Sequence, residues 1–277
     1  MKKVCLLGAN SYIGESFVKW VELQNSSLSV MTIDTKKILP GDIPFQNFDC
    51  AVCVVGIAHK KVKSEDSNIY YKINRDLVIE LANKAKEKNV KQFIVLSSMS
   101  VFGKNQGVIE KNTKEMPSDD YGKSKLEADL ILEKMNSEDF KVCIVRPPMV
   151  YGKNCKGNYQ LLRKFTFLSP IFPKINNQRS MIYIDNLSDF IRWLIEEEKS
   201  GIFYPQNDEY VNTSSLVKYI SKYNKKRIFI FPFVKFLLLI IPSNRFKKVF
   251  GDLIYDFHEN KENPYSDFEE TIKLSEL

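Results

Sequence analysis

Gly8-Ala9-Asn10-Ser11-Tyr12-Ile13-Gly14 lies between two segments of different periodicity, and its reading decides the fold. Before it, Lys3-Val4-Cys5-Leu6-Leu7 is an apolar run of strand length. After it, Ser16-Phe17-Val18-Lys19-Trp20-Val21 repeats its apolar residues at helical spacing. A second apolar run, Leu28-Ser29-Val30-Met31-Thr32-Ile33, ends on Asp34. Together these are the parts of a dinucleotide-binding unit: a tight turn, a helix N-terminus facing a pyrophosphate, and a carboxylate for ribose hydroxyls. One position departs from the pattern. Ser11 stands at the middle glycine of G-x-x-G-x-x-G, where the backbone approaches the phosphate, and its hydroxyl can itself donate to that phosphate.

Outward from this unit, strands are expected near 3–7, 28–34, 50–55, 92–97 and 140–146, and helices near 12–23, 69–88 and 119–136. That alternation implies a parallel, doubly wound sheet. After Gly152 the pattern loosens. Asn158 to Phe167 reads as a helix, Pro170 to Arg179 as a loop, and Asn186 to Glu198 as a helix returning to the large domain. Thr213 to Tyr223 and the C-terminus complete a small lobe. The implied division is 1–155 with a return segment of about 180–207, against 156–179 and 208–277. Ile228 to Ile241 is apolar apart from Lys235, with Pro232 inside. It is too short and too interrupted for a spanning helix of about 20 residues, and reads as a buried strand followed by a packed helix; an interfacial membrane contact is the alternative.

A chain of 277 residues with a hydrophobic fraction of 44% can hold one large α/β domain and a smaller lobe. The net charge of +7 reads as a lysine-rich solvated surface, and it also suits a phosphate-rich ligand. No helix-turn-helix, zinc-finger or aromatic-basic motif points to nucleic acid. The five cysteines lie mostly in apolar runs, which predicts reduced, buried thiols in a cytoplasmic protein. Met1-Lys2-Lys3 leads into a strand and not into a signal peptide.

Chemistry is concentrated in Ser98-Met99-Ser100-Val101-Phe102-Gly103 and Tyr121-Gly122-Lys123-Ser124-Lys125. Tyr121 and Lys125, four apart on a helix, project from one face, so the ammonium can lie beside the phenol and favour phenolate. That brings a group of pKa about 10 towards working range for acid–base chemistry. Ser98 can hydrogen-bond the same substrate oxygen. Asp119 and Asp120 read as helix cap and first-turn acids. Gly122-Lys123-Ser124 imitates the end of a P-loop, but Pro117 stands where that motif needs glycine. Two isolated histidines, His59 and His258, with no G-x-S-x-G elbow, argue against a metal centre or a serine hydrolase.

These segments resemble the extended short-chain dehydrogenase/reductase family in its nucleotide-sugar epimerase and reductase branch, which includes UDP-glucose 4-epimerases, and look similar to a shorter subgroup of capsule and O-antigen sugar pathways. Four further segments carry the resemblance: Asp49 to His59, with Cys53 in place of the family's histidine; Tyr71-Lys72-Ile73-Asn74, with the family's helix asparagine; Arg146-Pro147-Pro148-Met149-Val150-Tyr151-Gly152; and Gln178 to Leu187. The resemblance implies a Rossmann-like doubly wound sheet with a smaller C-terminal substrate-binding lobe, and NAD as cofactor. It assigns Gly8, Ser11, Tyr12, Ile13, Gly14, Asp34, Val55, Gly56, Asn74, Tyr121, Lys125 and Pro148 to the cofactor. Ser98, Tyr121 and Lys125 are the implied catalytic set, and Ser98, Asn158 and Arg179 the implied contacts to a nucleotide sugar. Lys156 reads equally as a substrate contact or a solvated loop residue, and Met149 stands where relatives often have Asn. Dehydratases of the family carry Asp-Glu after the catalytic Ser or Thr; here those places are Met99 and Ser100. Two reactions remain, a 4-epimerase that oxidises and re-reduces C4, favoured by family frequency, and an NAD(P)H-dependent 4-ketoreductase acting on a UDP-4-keto-6-deoxy-hexosamine. A non-catalytic dinucleotide-binding regulator is the reading of another class. A homodimer is compatible with the family; stable membrane insertion is not expected.

Overall fold

Cys-Ala-Val-Cys and Gln-Phe-Ile-Val-Leu are apolar almost throughout, the signature of parallel strands covered on both faces, and every residue of both segments is buried. They form β3 (Cys50–Cys53) and β4 (Gln92–Leu96) in a computed structural model that describes residues 1–24, 26–58, 68–232, 250–259 and 261–277. Around them the chain runs through β1 (Lys2–Leu7), α1 (Tyr12–Leu23) and β2 (Leu28–Ile33), then α2 (Asn68–Tyr71) and α3 (Val78–Glu87) between β3 and β4. There follow β5 (Gly107–Ile109), α4 (Asp120–Met135), β6 (Lys141–Val145), β7 (Met149–Tyr151), α5 (Asn158–Leu168), β8 (Ile171–Pro173), β9 (Met181–Tyr183) and α6 (Ile184–Glu196). The chain ends with β10 (Gly201–Phe203), α7 (Thr213–Tyr223), β11 (Phe229–Phe231), β12 (Leu253–Tyr255) and α8 (Phe268–Glu276).

Two compact units result. The first comprises Met1–Gly103, Lys114–Pro147 and Leu187–Pro205; the second comprises Lys104–Thr113, Pro148–Asn186 and Gln206–Leu277. Sequence patterning puts 104–113 and 148–155 in the large domain and starts the return segment near 180; the second unit holds the first two stretches, and the return begins at Leu187.

The first unit is an α/β doubly wound, Rossmann-like fold. Its six-stranded sheet has the order β10-β6-β4-β3-β1-β2, with every neighbouring pair parallel. The order reverses at β1, between β2 and β3, and in open α/β sheets the crevice at the carboxyl ends of such strands is where ligands bind. The core packs Leu7, Ala51, Cys53 and Phe93 of the sheet against Val78, Leu81 and Ala85 of α3. Each large apolar side chain fully buried there contributes about 1.5–3 kcal/mol. All five cysteines are free and buried, and burial pushes the Cys5 thiol up to about 12 and Cys53 to about 11, which keeps both protonated and inert.

Periodicity predicts one helix over 69–88. The structure interrupts it with a π-helical turn over Lys72–Leu77, which carries the buried Asn74. Such single wide turns recur at functional sites.

Among the described residues, the second unit holds three two-stranded parallel pairs, β7–β9, β8–β11 and β5–β12, with α7 packed on α5 and α8. The fully buried Tyr151 stacks on Tyr159, accepts from Asn207 Nδ2 at 2.7 Å and shares a 2.7 Å hydrogen bond with Thr271. The expected loop over 170–179 contains β8. The expected buried strand near residue 228 is β11, but it is exposed: among the described residues it pairs with β8 alone, and Phe229 and Phe231 are exposed. The packed helix expected after it lies outside the described residues. Among the described residues, no helix is long and apolar enough to cross a membrane.

Candidate active site

The glycine turn leaves β1 at Gly8, whose φ of +99° is a conformation that L side chains rarely adopt. A Cβ at Gly8 would stand 3.2 Å from the Val55 nitrogen, and one at Gly14 would stand 2.9 Å from Ser11 Oγ. The turn thus lies bare against the carboxyl end of β3. Ser11 caps α1, its Oγ accepting from Gly14 N at 3.1 Å, while Tyr12 and Ile13 open the helix. The Ser11 oxygen is therefore occupied as a cap, and only its hydroxyl hydrogen is left for a phosphate. Asp34, just past β2, accepts from Asn10 Nδ2 at 2.9 Å and from Lys36 N at 3.1 Å, with Lys37 Nζ 3.9 Å away. A bare turn, a helix N-terminus and an acid at the next strand end fit a dinucleotide: pyrophosphate on the first turn of α1, ribose on Asp34.

Ser98 follows β4 and caps a 3-10 turn over Met99–Phe102, accepting from Ser100 N at 3.1 Å and donating to Ser100 Oγ at 3.1 Å. Tyr121 sits in the first turn of α4, whose cap Asp119 accepts from Gly122 N. Gly122 makes their meeting possible. A Cβ there would stand 2.7 Å from the Ser100 carbonyl oxygen and 2.9 Å from Pro117, so only glycine lets α4 rest against the 3-10 turn. The Ser98 side chain stands near enough to the Tyr121 phenol to lower its pKa, and the Tyr121 ring meets Tyr70 edge-on at 6.3 Å.

One turn along α4, Lys125 is buried. Its Nζ donates to the Leu96 carbonyl at 2.7 Å and lies 3.4 Å from that of Val55, at the carboxyl ends of β4 and β3. A Cβ on Gly56 would stand 3.1 Å from that ammonium. Burial lowers the Lys125 pKa, with Cys53 and Asp129 opposing. The expectation of a phenolate held by Lys125 needs correction. Burial raises the Tyr121 pKa, and the influence lowering it is the Ser98 side chain; Asp119, Asp129 and Tyr70 add to the rise. The phenol is accordingly harder to ionise than a free tyrosine, and Lys125 is not among the influences that lower it.

Asn74, expected on the cofactor, is fully buried and bonded to protein. Its Oδ1 accepts from Ile57 N at 2.8 Å, and its Nδ2 donates to Ile57 O and to Ser124 Oγ, both at 3.2 Å. It fixes the loop after β3 to α4. Pro148, Asn158 and Arg179 belong to the second unit. Pro148 is buried ahead of β7, and Asn158 is the first residue of α5. The Arg179 backbone pairs with Val211, and its Nη1 donates to Gly251 O at 2.7 Å; burial lowers its pKa, with Asp252 opposing.

Two features escape a reading of the sequence alone. Asn10, which holds Asp34, carries no motif. Beneath the site, Asp129 accepts from Ser97 Oγ at 2.7 Å and Arg146 Nε at 3.0 Å, and Arg146 reaches Glu115 at 2.8 Å. Asp129 was findable, since it continues the stripe of Tyr121 and Lys125 at a spacing of four. Among the described residues, no group of three or more His, Cys, Asp or Glu could hold a metal ion.

Residues 4–204 match the NAD dependent epimerase/dehydratase family. The chain belongs to that family. It is an NAD-dependent epimerase/oxidoreductase of the extended short-chain dehydrogenase/reductase type. It is 28% identical over 243 residues to a UDP-glucose 4-epimerase of Vibrio cholerae, covering 78% of this chain and 74% of that one. A 4-epimerase of N-acetyl-glucosaminyl-diphospho-undecaprenol from Escherichia coli O157:H7 is 23% identical over 249 residues, covering 81% and 73%. The structure of a UDP-glucuronic acid 4-epimerase from Bacillus cereus in complex with NAD superposes with a TM-score of 0.78 at 16% identity, over 99% of this chain and 95% of that one, which establishes the shared fold.

Proposed function

We propose that this family member is an NAD-dependent 4-epimerase of a UDP-hexose or UDP-N-acetylhexosamine, with Tyr121 as its acid/base. The observation that carries the reading is Tyr121 and Lys125 on one face of α4, with α4 resting through Gly122 on the turn that Ser98 caps and Lys125 anchored on the Leu96 and Val55 carbonyls. Bound NAD supplies a hydride acceptor for C4 and the hydride that restores it. The protein's own part is proton transfer: the Tyr121 oxygen, in its ionised form, takes the C4 hydroxyl proton as C4 becomes a carbonyl, and the phenol so formed returns it when the other face is reduced. Ser98 donates to the same oxygens and stabilises the charge that develops there. Asp34 holds the adenosine ribose and, by its charge, disfavours a 2′-phosphate. Arg179 is assigned to the substrate diphosphate by its place in the family pattern, and guanidinium geometry suits that role; Asn158 is assigned to the diphosphate or the sugar.

Elimination of water is not supported. The positions after Ser98 hold a buried Met99 and Ser100, whose hydroxyl is tied to Ser98, so no carboxylate stands there to move a second proton. The test is incubation of purified protein with UDP-glucose, UDP-GlcNAc and UDP-GalNAc, without added cofactor, alongside N-acetylglucosaminyl-diphospho-undecaprenol, the compound named for the Escherichia coli relative. Conversion of a UDP-sugar to its C4 epimer is expected. Stoichiometric NADH oxidation on a UDP-4-keto-6-deoxy-hexosamine, with no epimer formed from any substrate, would replace the reading with a ketoreductase.

A further inference from the structure

The first unit contains equal numbers of basic and acidic residues, so the whole net charge of +7 belongs to the second. Within the second unit, the sequence from Pro148 to Ile184 and from Val211 to Gly251 contains no Asp or Glu. Most of the second unit's exposed large apolar side chains among the described residues lie in the same two stretches. On α5, Leu161, Phe165 and Leu168 recur at i, i+4 and i+7, one face of the helix, and Leu168 is 84% exposed. On the β8–β11 ribbon, Phe229 is the register partner of Ile171, and both stand with Phe231 on its open face; Phe229 is 64% exposed. The side chains among them are basic: Lys164, Lys174, Lys225, Lys226 and Arg227 are all exposed. Arg163 and Lys226 lie over the Phe167 ring at 4.9 and 5.7 Å.

We propose that the α5 and β8–β11 surface docks the second unit on an anionic lipid bilayer. A large exposed apolar surface marks an interaction site. Its charge selects the partner, since a second copy would present the same unbalanced positive charge and repel. Leucine and phenylalanine side chains flanked by lysine are the composition that settles into the acyl boundary while ammonium groups meet lipid phosphates. The inference does not depend on which reaction the first unit performs.

Flotation of the full chain with phosphatidylcholine vesicles, with and without phosphatidylglycerol, tests it. Binding is expected only to the phosphatidylglycerol vesicles, with release at high salt. Phe229→Ser with Phe231→Ser, and separately Lys225→Glu with Arg227→Glu, should each lower the partition constant at least tenfold. Leu23→Ser, an exposed apolar residue of the first unit, should leave it unchanged. The charge-reversal pair alters exposed side chains only, so an unchanged melting temperature and NAD affinity show that it is folded. Failure to float with phosphatidylglycerol at low salt, wild-type partition by both double variants, or tighter binding to a single-stranded oligonucleotide than to vesicles would overturn the proposal.

Discussion

Replacing Arg146 by methionine probes the foundation on which α4 presents Tyr121 and Lys125. Arg146 is 1% exposed and joins Asp129, 2% exposed, to Glu115. Its guanidinium also lies over the Phe102 and Tyr204 rings at 5.7 and 5.9 Å. Methionine keeps the apolar stem but leaves a buried carboxylate with Ser97 as its remaining hydrogen-bond donor among the contacts described above. Breaking a buried pair in this way costs about 3–5 kcal/mol. Glu115 contributes little to that figure, because it is a third exposed.

The pH dependence separates charge from packing. Burial raises Asp129 to about 6 against the pull of Arg146, and removing Arg146 raises it further. An acid whose pKa is higher folded than unfolded holds more protons in the folded state, so stability falls as pH rises from the unfolded value of about 3.9 to the folded value. The slope is about 1.4 kcal/mol per pH unit. The variant follows that slope to a higher pH than the wild type. Its deficit should therefore be greatest near pH 8 and shrink by about 1–3 kcal/mol near pH 5, where Asp129 is protonated in both folded proteins. Urea denaturation at the two pH values measures this. Arg146→Met combined with Asp129→Leu should recover most of the loss at pH 8, since no buried charge remains. An equal deficit at both pH values, or a double variant no more stable than Arg146→Met, would refute the reasoning.

Three further outcomes are expected. Tyr121→Phe should keep the fold and NAD affinity while turnover falls about a hundredfold or more, read from single-substrate kinetics and NAD titration. Asp34→Ala should weaken NAD binding and narrow its preference over NADP; calorimetry showing undiminished discrimination would remove Asp34 from the ribose site. Gly122→Ala should destabilise by about 1–3 kcal/mol and lower kcat, because its methyl must displace the Ser100 carbonyl or the Pro117 ring.

Local signals made much of the fold legible. The turn from Gly8 to Gly14, the acid ending β2 and the alternating strands each announce themselves within about ten residues, where periodicity and turn chemistry act. The pairing of Tyr121 with Ser98 was legible as residue types, but its enabling contact, the bare Cα of Gly122 against Ser100, is tertiary. Lys125 shows the limit most clearly. Its spacing from Tyr121 is visible, but its hydrogen bonds go to the ends of β3 and β4, which only sheet order brings together. The turn at Lys72–Leu77 adds a single residue of winding, too little to disturb an apolar period. β11 reads as core because apolar sequence implies burial only on average; among the described residues it has one strand partner, and Phe229 and Phe231 are exposed.

The central claim, hydride removal from C4 and its return with Tyr121 moving the proton, is tested most directly by isotope tracing. A UDP-sugar that the enzyme accepts, deuterated at C4, is incubated with the purified protein in ordinary water, and the epimer is analysed by NMR. The account predicts an inverted C4 that retains its deuterium, formed at a rate that falls about a hundredfold or more in Tyr121→Phe. Replacement of the C4 deuterium by solvent hydrogen, or an undiminished rate in that variant, would contradict it.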